Sequence, residues 1–201
     1  MNADWVSNAA IAATATLLAL YELRLWQVQR RRVDGAHAGL RRDWLRAVSA
    51  QPGSELLAVQ TLRNALMSAT VTASTAVLGL MGTISLTAPL LRSDGLAQLG
   101  LHLLLLALLL AALLSSAMAV RDYKHAGFIV AMPVASAERQ RWQPAGDRYL
   151  ARAGRLYGWG LRQLFLVGPV LAALLHPLAG PVAALLLVGL LLSLDRPGMR
   201  A

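Results

Sequence analysis

A chain of 201 residues with 57% apolar and 14% charged side chains, and a mean hydropathy of +0.53, is too poor in charge to cover a water-facing surface, where about 25% is usual. The formal charge of +9 would suggest nucleic acid in a soluble protein. The placement of those charges argues against a nucleic-acid partner and for a bilayer. Cysteine is absent, which excludes disulfides, thiolate metal sites and cysteine nucleophiles.

Five apolar tracts follow one another, at about residues 5–23, 65–91, 96–120, 159–175 and 178–194. A spanning helix needs roughly 17–25 residues. The expected fold is therefore all-α: a single integral membrane domain over residues 1–201, with about five spans. The last two tracts are joined by HPLAGP, which predicts a tight hairpin. Eighteen of the nineteen Lys and Arg residues fall on one side if five spans alternate, and only Arg92 falls on the other. The positive-inside rule then places the N-terminus outside, and cytoplasmic segments 24–64 and 121–158 and the C-terminus inside. The expected location is the bacterial inner membrane, in a multi-pass arrangement. The first tract has Asp4 before it and Arg24, Arg30, Arg31 and Arg32 after it, the reverse of a signal peptide, so it reads as a retained anchor.

At the inner end of that span, Glu22 stands near Arg24. Its expected role is an ion pair at the inner interface with Arg63 or Arg162. GLRRDWLRAVSA then places Leu40, Trp44, Ala47 and Val48 on one helical face opposite Arg42 and Arg46, the pattern of an interfacial helix. QPGS breaks the chain, and Ser54 is the expected N-cap of a helix that meets no breaker until Pro89. About 34 residues at 1.5 Å each make that helix roughly 50 Å long, so it projects two or three turns into the cytoplasm.

This second span carries hydroxyls in TLRNALMSATVTAST and on into VLGLMGTISLTAPLL. Thr61, Asn64, Ser68, Thr72, Thr75, Gly79, Gly82 and Thr83 share an arc of about 100° at the helical period. Small residues four apart allow close helix packing, and each hydroxyl can bond the carbonyl four residues back. Asn64, Ser68, Thr72, Thr75, Gly79 and Thr83 are thus expected to face protein, with the first span as neighbour through its NAAIAATAT stretch. The alternative is a path lined by the same residues in several copies, with Arg63 near the cytoplasmic mouth. The third and fifth spans are leucine in nearly every direction, which predicts a peripheral place facing lipid. Between the third and fourth spans, after Pro144, Arg148, Arg152, Arg155, Trp159 and Arg162 fall within about 80°. That face is expected to touch anionic lipid headgroups, or alternatively an acidic partner.

No H-x-x-x-H, phosphate-binding glycine loop or G-x-S-x-G occurs. His37 and His125 fall on the cytoplasmic side; His102, His176 and Asp94 fall near outer ends of spans and read as interfacial side chains. No catalytic residue, metal or cofactor is therefore expected. Gly168-Pro169 is the one breaker within a span.

With these residues placed, the chain resembles a bacterial membrane-protein family known as domain of unknown function 599, which also has plant members. RNALMSATVTAST, RDYKHAGFIVAMP and the LHP turn carry the resemblance, which extends from the first span to residue 194. Where the family has an aromatic-Asn-aromatic core, this chain has Tyr123-Lys124-His125, so a role of that Asn does not transfer. The resemblance implies a helical membrane protein and no activity. The expected function is a non-enzymatic membrane protein that forms homo-oligomers through the first and second spans, by the small-polar face of the second, with the bilayer as partner and no nucleic acid. A homo-oligomeric channel and an accessory subunit of another membrane protein are the alternatives.

Overall fold

The computed structural model describes residues 2–31, 36–90 and 95–194. They form six helices: α1 (Asn2–Arg31), α2 (Ala36–Ala50), α3 (Glu55–Leu90), α4 (Leu96–Ala131), α5 (Ala137–Leu175) and α6 (Ala179–Leu194). No strand occurs among the described residues. Helices α1, α3, α4 and α5 are each long and apolar enough to cross a membrane, whereas α6 has 16 residues. At 1.5 Å per residue α6 is about 24 Å long, short of the roughly 30 Å hydrocarbon thickness. Arg92, Asp94, Arg196, Arg200 and the side chains of His37 and Pro89 lie outside the described residues.

The helix ends follow from local chemistry. Between α2 and α3 the chain turns through Gly53, whose φ of 86° suits a residue without Cβ. Ser54 occupies the expected N-cap position, with its carbonyl accepting the Ala58 amide at 3.0 Å. Its hydroxyl, however, points backwards and donates to the carbonyls of Val48 and Gln51, closing the end of α2. Ser136 caps α5, accepting the Arg139 amide at 3.2 Å.

Helix α5 therefore begins at Ala137 and runs through both Pro144 and the expected breaker Gly168-Pro169. A proline removes one ladder hydrogen bond, and a helix anchored along its length absorbs that loss. Likewise α4 continues unbroken past Val120 to Ala131, so the RDYKHAGF motif is helical.

The chain divides into two compact units, to both of which α3, α4 and α5 contribute. In the first unit (1–33, 76–111 and 162–201) α1 packs along α6. Gly180 brings α6 close: a Cβ there would stand 2.5 Å from Thr14 Oγ1 and 2.6 Å from Ala173 Cβ. The small face of α1, expected against the second span, thus meets α6. The outer leucines of α6, including Leu186 and Leu194, are exposed.

In the second unit (34–75 and 112–161) α2 closes a core of Leu45, Ala58, Leu62, Ala69, Ala119, Tyr123, Ala126, Val130, Leu150 and Ala153. Gly160 lets α5 approach α4; a Cβ at Gly160 would lie 2.6 Å from Ser115 Oγ and 3.2 Å from the Ala112 carbonyl.

The third span, expected at the periphery, is instead well packed: Leu101, Leu105, Leu109 and Ala112 of α4 are buried, and within one chain α3 is the more open helix. Leucine suits lipid and protein equally, so an all-leucine helix carries no signal of which it meets.

Candidate functional site

The hydroxyl stripe of α3 is held by its own helix. Thr61, Ser68, Thr72, Thr75 and Thr83 each donate to the carbonyl four residues back, at 2.8–3.1 Å. This geometry satisfies a hydroxyl in an apolar setting without any outside partner.

The stripe does not form one packed face. Thr72 and Thr83 are buried, and Gly79 is partly so, its Cα side pressed by Leu109 within the first unit. Asn64, Ser68 and Thr75 are exposed, together with Gly82. The packing seam instead runs through Ala58, Leu62, Ala69, Thr72 and Ala76, all buried. Successive steps of 4, 7, 3 and 4 are those of a heptad seam. Its alanines are small enough for close approach and carry no polar mark that distinguishes them in the sequence.

Beside it lies an open face within the second unit: Leu57, Thr61, Asn64, Ser68, Val71 and Thr75, in steps of 4, 3, 4, 3 and 4. Leu57 is 66% and Val71 65% exposed. Arg63, also exposed, stands to one side of this ridge.

At the inner end of the first apolar tract the Glu22 carboxylate accepts a hydrogen bond of 2.6 Å from Nε2 of Gln163. Gln163 is 3% exposed. The neutral amide is a partner that pairing by charge alone does not reveal.

Arg148, Arg152 and Arg155 are exposed on α5, and Arg162 is partly so. Because the helix starts at Ala137, exposed Arg141 extends the same ridge by seven residues below Arg148. Arg152 is the one with a buried anchor. Its Nε lies 3.3 Å from Oδ2 of Asp122, whose side chain is 2% exposed. That oxygen has no directed hydrogen bond, so the contact is ionic rather than a closed pair.

Next to Asp122, burial pushes the Tyr123 phenol above its ordinary range, opposed by the Arg41 charge and reinforced by Tyr157. The Arg41 guanidinium lies flat against the backbone of α5 at Gly154, where a Cβ would collide with it. His125 stacks on Tyr149 at 5.1 Å between centroids. Both contacts belong to the packing of the second unit.

A buried cation, Arg139, carries no mark in the sequence. It is 1% exposed and donates through Nη1 to the carbonyls of Ile129, Val130 and Met132, and through Nη2 to Ser49 Oγ at 3.0 Å. Those carbonyls lie at and just past the end of α4, where the helical ladder of donors runs out. A planar five-donor fork suits that cluster.

His102 donates through Nδ1 to the Gln98 carbonyl, 2.9 Å away, and His176 is exposed. Among the described residues no three His, Cys, Asp or Glu side chains come together in the manner of a metal site.

A family model described as "Protein of unknown function, DUF599" matches residues 9–198. The chain belongs to that family. No curated protein and no solved structure matches it.

Proposed function

We propose that this DUF599 protein is a non-enzymatic, multi-pass protein of the bacterial inner membrane that self-associates through the open face of α3. Four long apolar helices and the family match support the membrane part of that reading. One observation carries the self-association: an exposed seam in 4-3 steps from Leu57 to Thr75, beside a seam of the same period that is already packed.

Two features favour a second copy as the occupant. Leu57 lies eight residues, or about 12 Å, before the bilayer segment, where an exposed leucine faces water rather than lipid. The seam also carries no charge, so two parallel copies bring no like charges together, and Asn64 can hydrogen-bond to itself across a two-fold axis. The hydroxyls, satisfied within α3, leave a helix surface that can pack directly without intervening water.

Native cysteine is absent, so single cysteines report unambiguously. Ser68→Cys and Thr75→Cys should form cross-linked dimers in native membranes, while Ala69→Cys, on the packed seam, should not. Mass measurement in nanodiscs should give a multiple of the chain mass. A strict monomer there would sink the reading, and ion flux above that of empty liposomes would replace it with a pore.

A further inference from the structure

We propose that Asp122, Arg152 and Arg155 form a headgroup site for anionic phospholipid at the cytoplasmic surface, with Asp122 as the positioning residue. The site rests on the membrane orientation but is independent of pairing through α3.

Depth along α5 selects the residues. With the hydrocarbon boundary at Trp159, a rise of 1.5 Å per residue puts Arg155 about 6 Å and Arg152 about 10 Å out, against about 16 Å for Arg148 and 27 Å for Arg141. The headgroup layer is only about 5–7 Å deep on each side, and a long side chain extends its reach. Arg155 and Arg152 therefore meet lipid phosphates, and Arg148 and Arg141 do not. On α4, Arg121 and Lys124 are exposed at the same depth, just past the apolar tract. With the one carboxylate of Asp122, these four cations leave residues 121–124 and 152–155 with a net charge of +3.

Asp122 gives the cluster a direction. Its buried Oδ2 engages Arg152 at Nε, 3.3 Å away, which is one edge of the guanidinium. The two terminal amino groups are not used by that contact, and the side chain remains 52% exposed. An ionic contact on the Nε edge leaves the two terminal amino groups for a phosphate. Trp159, on the same ridge and partly exposed, marks the level at which aromatic side chains favour the interface.

The test is native mass spectrometry of the full chain with phosphatidylglycerol and phosphatidylcholine supplied in equal amounts. The wild type should retain phosphatidylglycerol preferentially. Arg152→Gln and Arg155→Gln should each lower that preference about fivefold, the contribution of one basic side chain near an anionic surface. Arg148→Gln should leave it unchanged. Asp122→Asn separates positioning from bulk charge: it makes the protein more positive, so simple attraction predicts a rise, whereas loss of the anchor predicts a fall. Arg155→Gln, on an exposed position, keeps the test sound if Asp122→Asn does not fold. Equal retention of both lipids, a loss in Arg148→Gln matching that in Arg152→Gln, or a rise in Asp122→Asn would overturn the site as described. Displacement of bound phosphatidylglycerol by millimolar inorganic phosphate would show a free-anion site instead and overturn the lipid assignment.

Discussion

The Glu55 carboxylate, in the first turn of α3, accepts the backbone N–H of Val134 at 3.0 Å. It thereby ties the start of one long helix to the turn between α4 and α5. Hydrogen bonds from the Glu55 amide itself, and then from Val134, hold this carboxyl below the usual carboxylate range. A group whose folded pKa is depressed stabilises the fold once pH exceeds its unfolded value, and that stabilisation disappears as pH falls through the folded pKa. The thermal midpoint of the wild type in detergent should therefore decline below about pH 4. Glu55→Gln should start lower at neutral pH and show a shallower acid decline. Parallel pH curves for the two proteins would remove Glu55 from this role.

Arg139 is the other tie at that turn, and the stakes there are higher because it is buried. Arg139→Met leaves the carbonyls of Val130 and Met132 without their Arg139 donor, while Ile129 keeps the Met132 amide. Stranding a buried polar group costs about 1–3 kcal/mol, and two are affected, so a loss of about 2 kcal/mol or more is expected. Arg139→Lys should recover only part, since an ammonium supplies a point charge rather than a planar fork. Chemical denaturation of the three proteins in one detergent gives the order directly. An Arg139→Met protein within 1 kcal/mol of wild type would show that water takes over the carbonyls.

The elements and the membrane class were legible because hydropathy and breakers act locally. The absence of a breaker after Gly53 gave α3 its length, and Ser54 its start. What packs against what was not legible. The α3 seam of Ala58, Ala69 and Ala76 looks neutral in a sequence, whereas hydroxyls stand out. The hydroxyls mark a different face, on which Asn64, Ser68 and Thr75 are open within one chain. The arginine ridge extends below Arg148 to Arg141 because Ser136 caps α5 eight residues before Pro144, and a serine cap that far ahead of a proline does not stand out in a sequence. Asp122 and Gln163 escaped notice for a shared reason: a single polar residue declares its partner only once the tertiary fold brings the two together.

Close approach of α4 and α5 depends on Gly160. A side chain there meets not only the hydroxyls of Ser115 and Ser116, which can rotate, but the Ala112 carbonyl at 3.2 Å, which cannot. Gly160→Leu should therefore force the helices apart and cost about 1–3 kcal/mol, the usual range for overpacking. Gly189→Leu on α6, where a Cβ meets nothing within 4 Å, is the control and should be close to neutral. Thermal midpoints in the same detergent compare the two. If Gly189→Leu is the more damaging, close packing at Gly160 is not what limits stability.

The bond between Glu22 and Gln163 should behave as a coupled pair. Gln163 is almost wholly buried, and its amide serves a carboxylate at the inner end of α1. Gln163→Leu removes the donor and strands the acceptor, so a loss of about 1.5–3 kcal/mol is expected for a hydrogen bond to a charged group. Glu22→Leu alone strands the Gln163 amide and should also destabilise. Replacing both partners with apolar groups removes the stranded atoms together, so the double variant should be more stable than the sum of the single losses. Glu22→Gln, which keeps an acceptor oxygen, should lose less than Glu22→Leu. A double-mutant cycle on thermal or denaturant midpoints measures the coupling. Strict additivity would show that the two side chains contribute separately, and that Glu22 draws its stability from water at the interface rather than from Gln163.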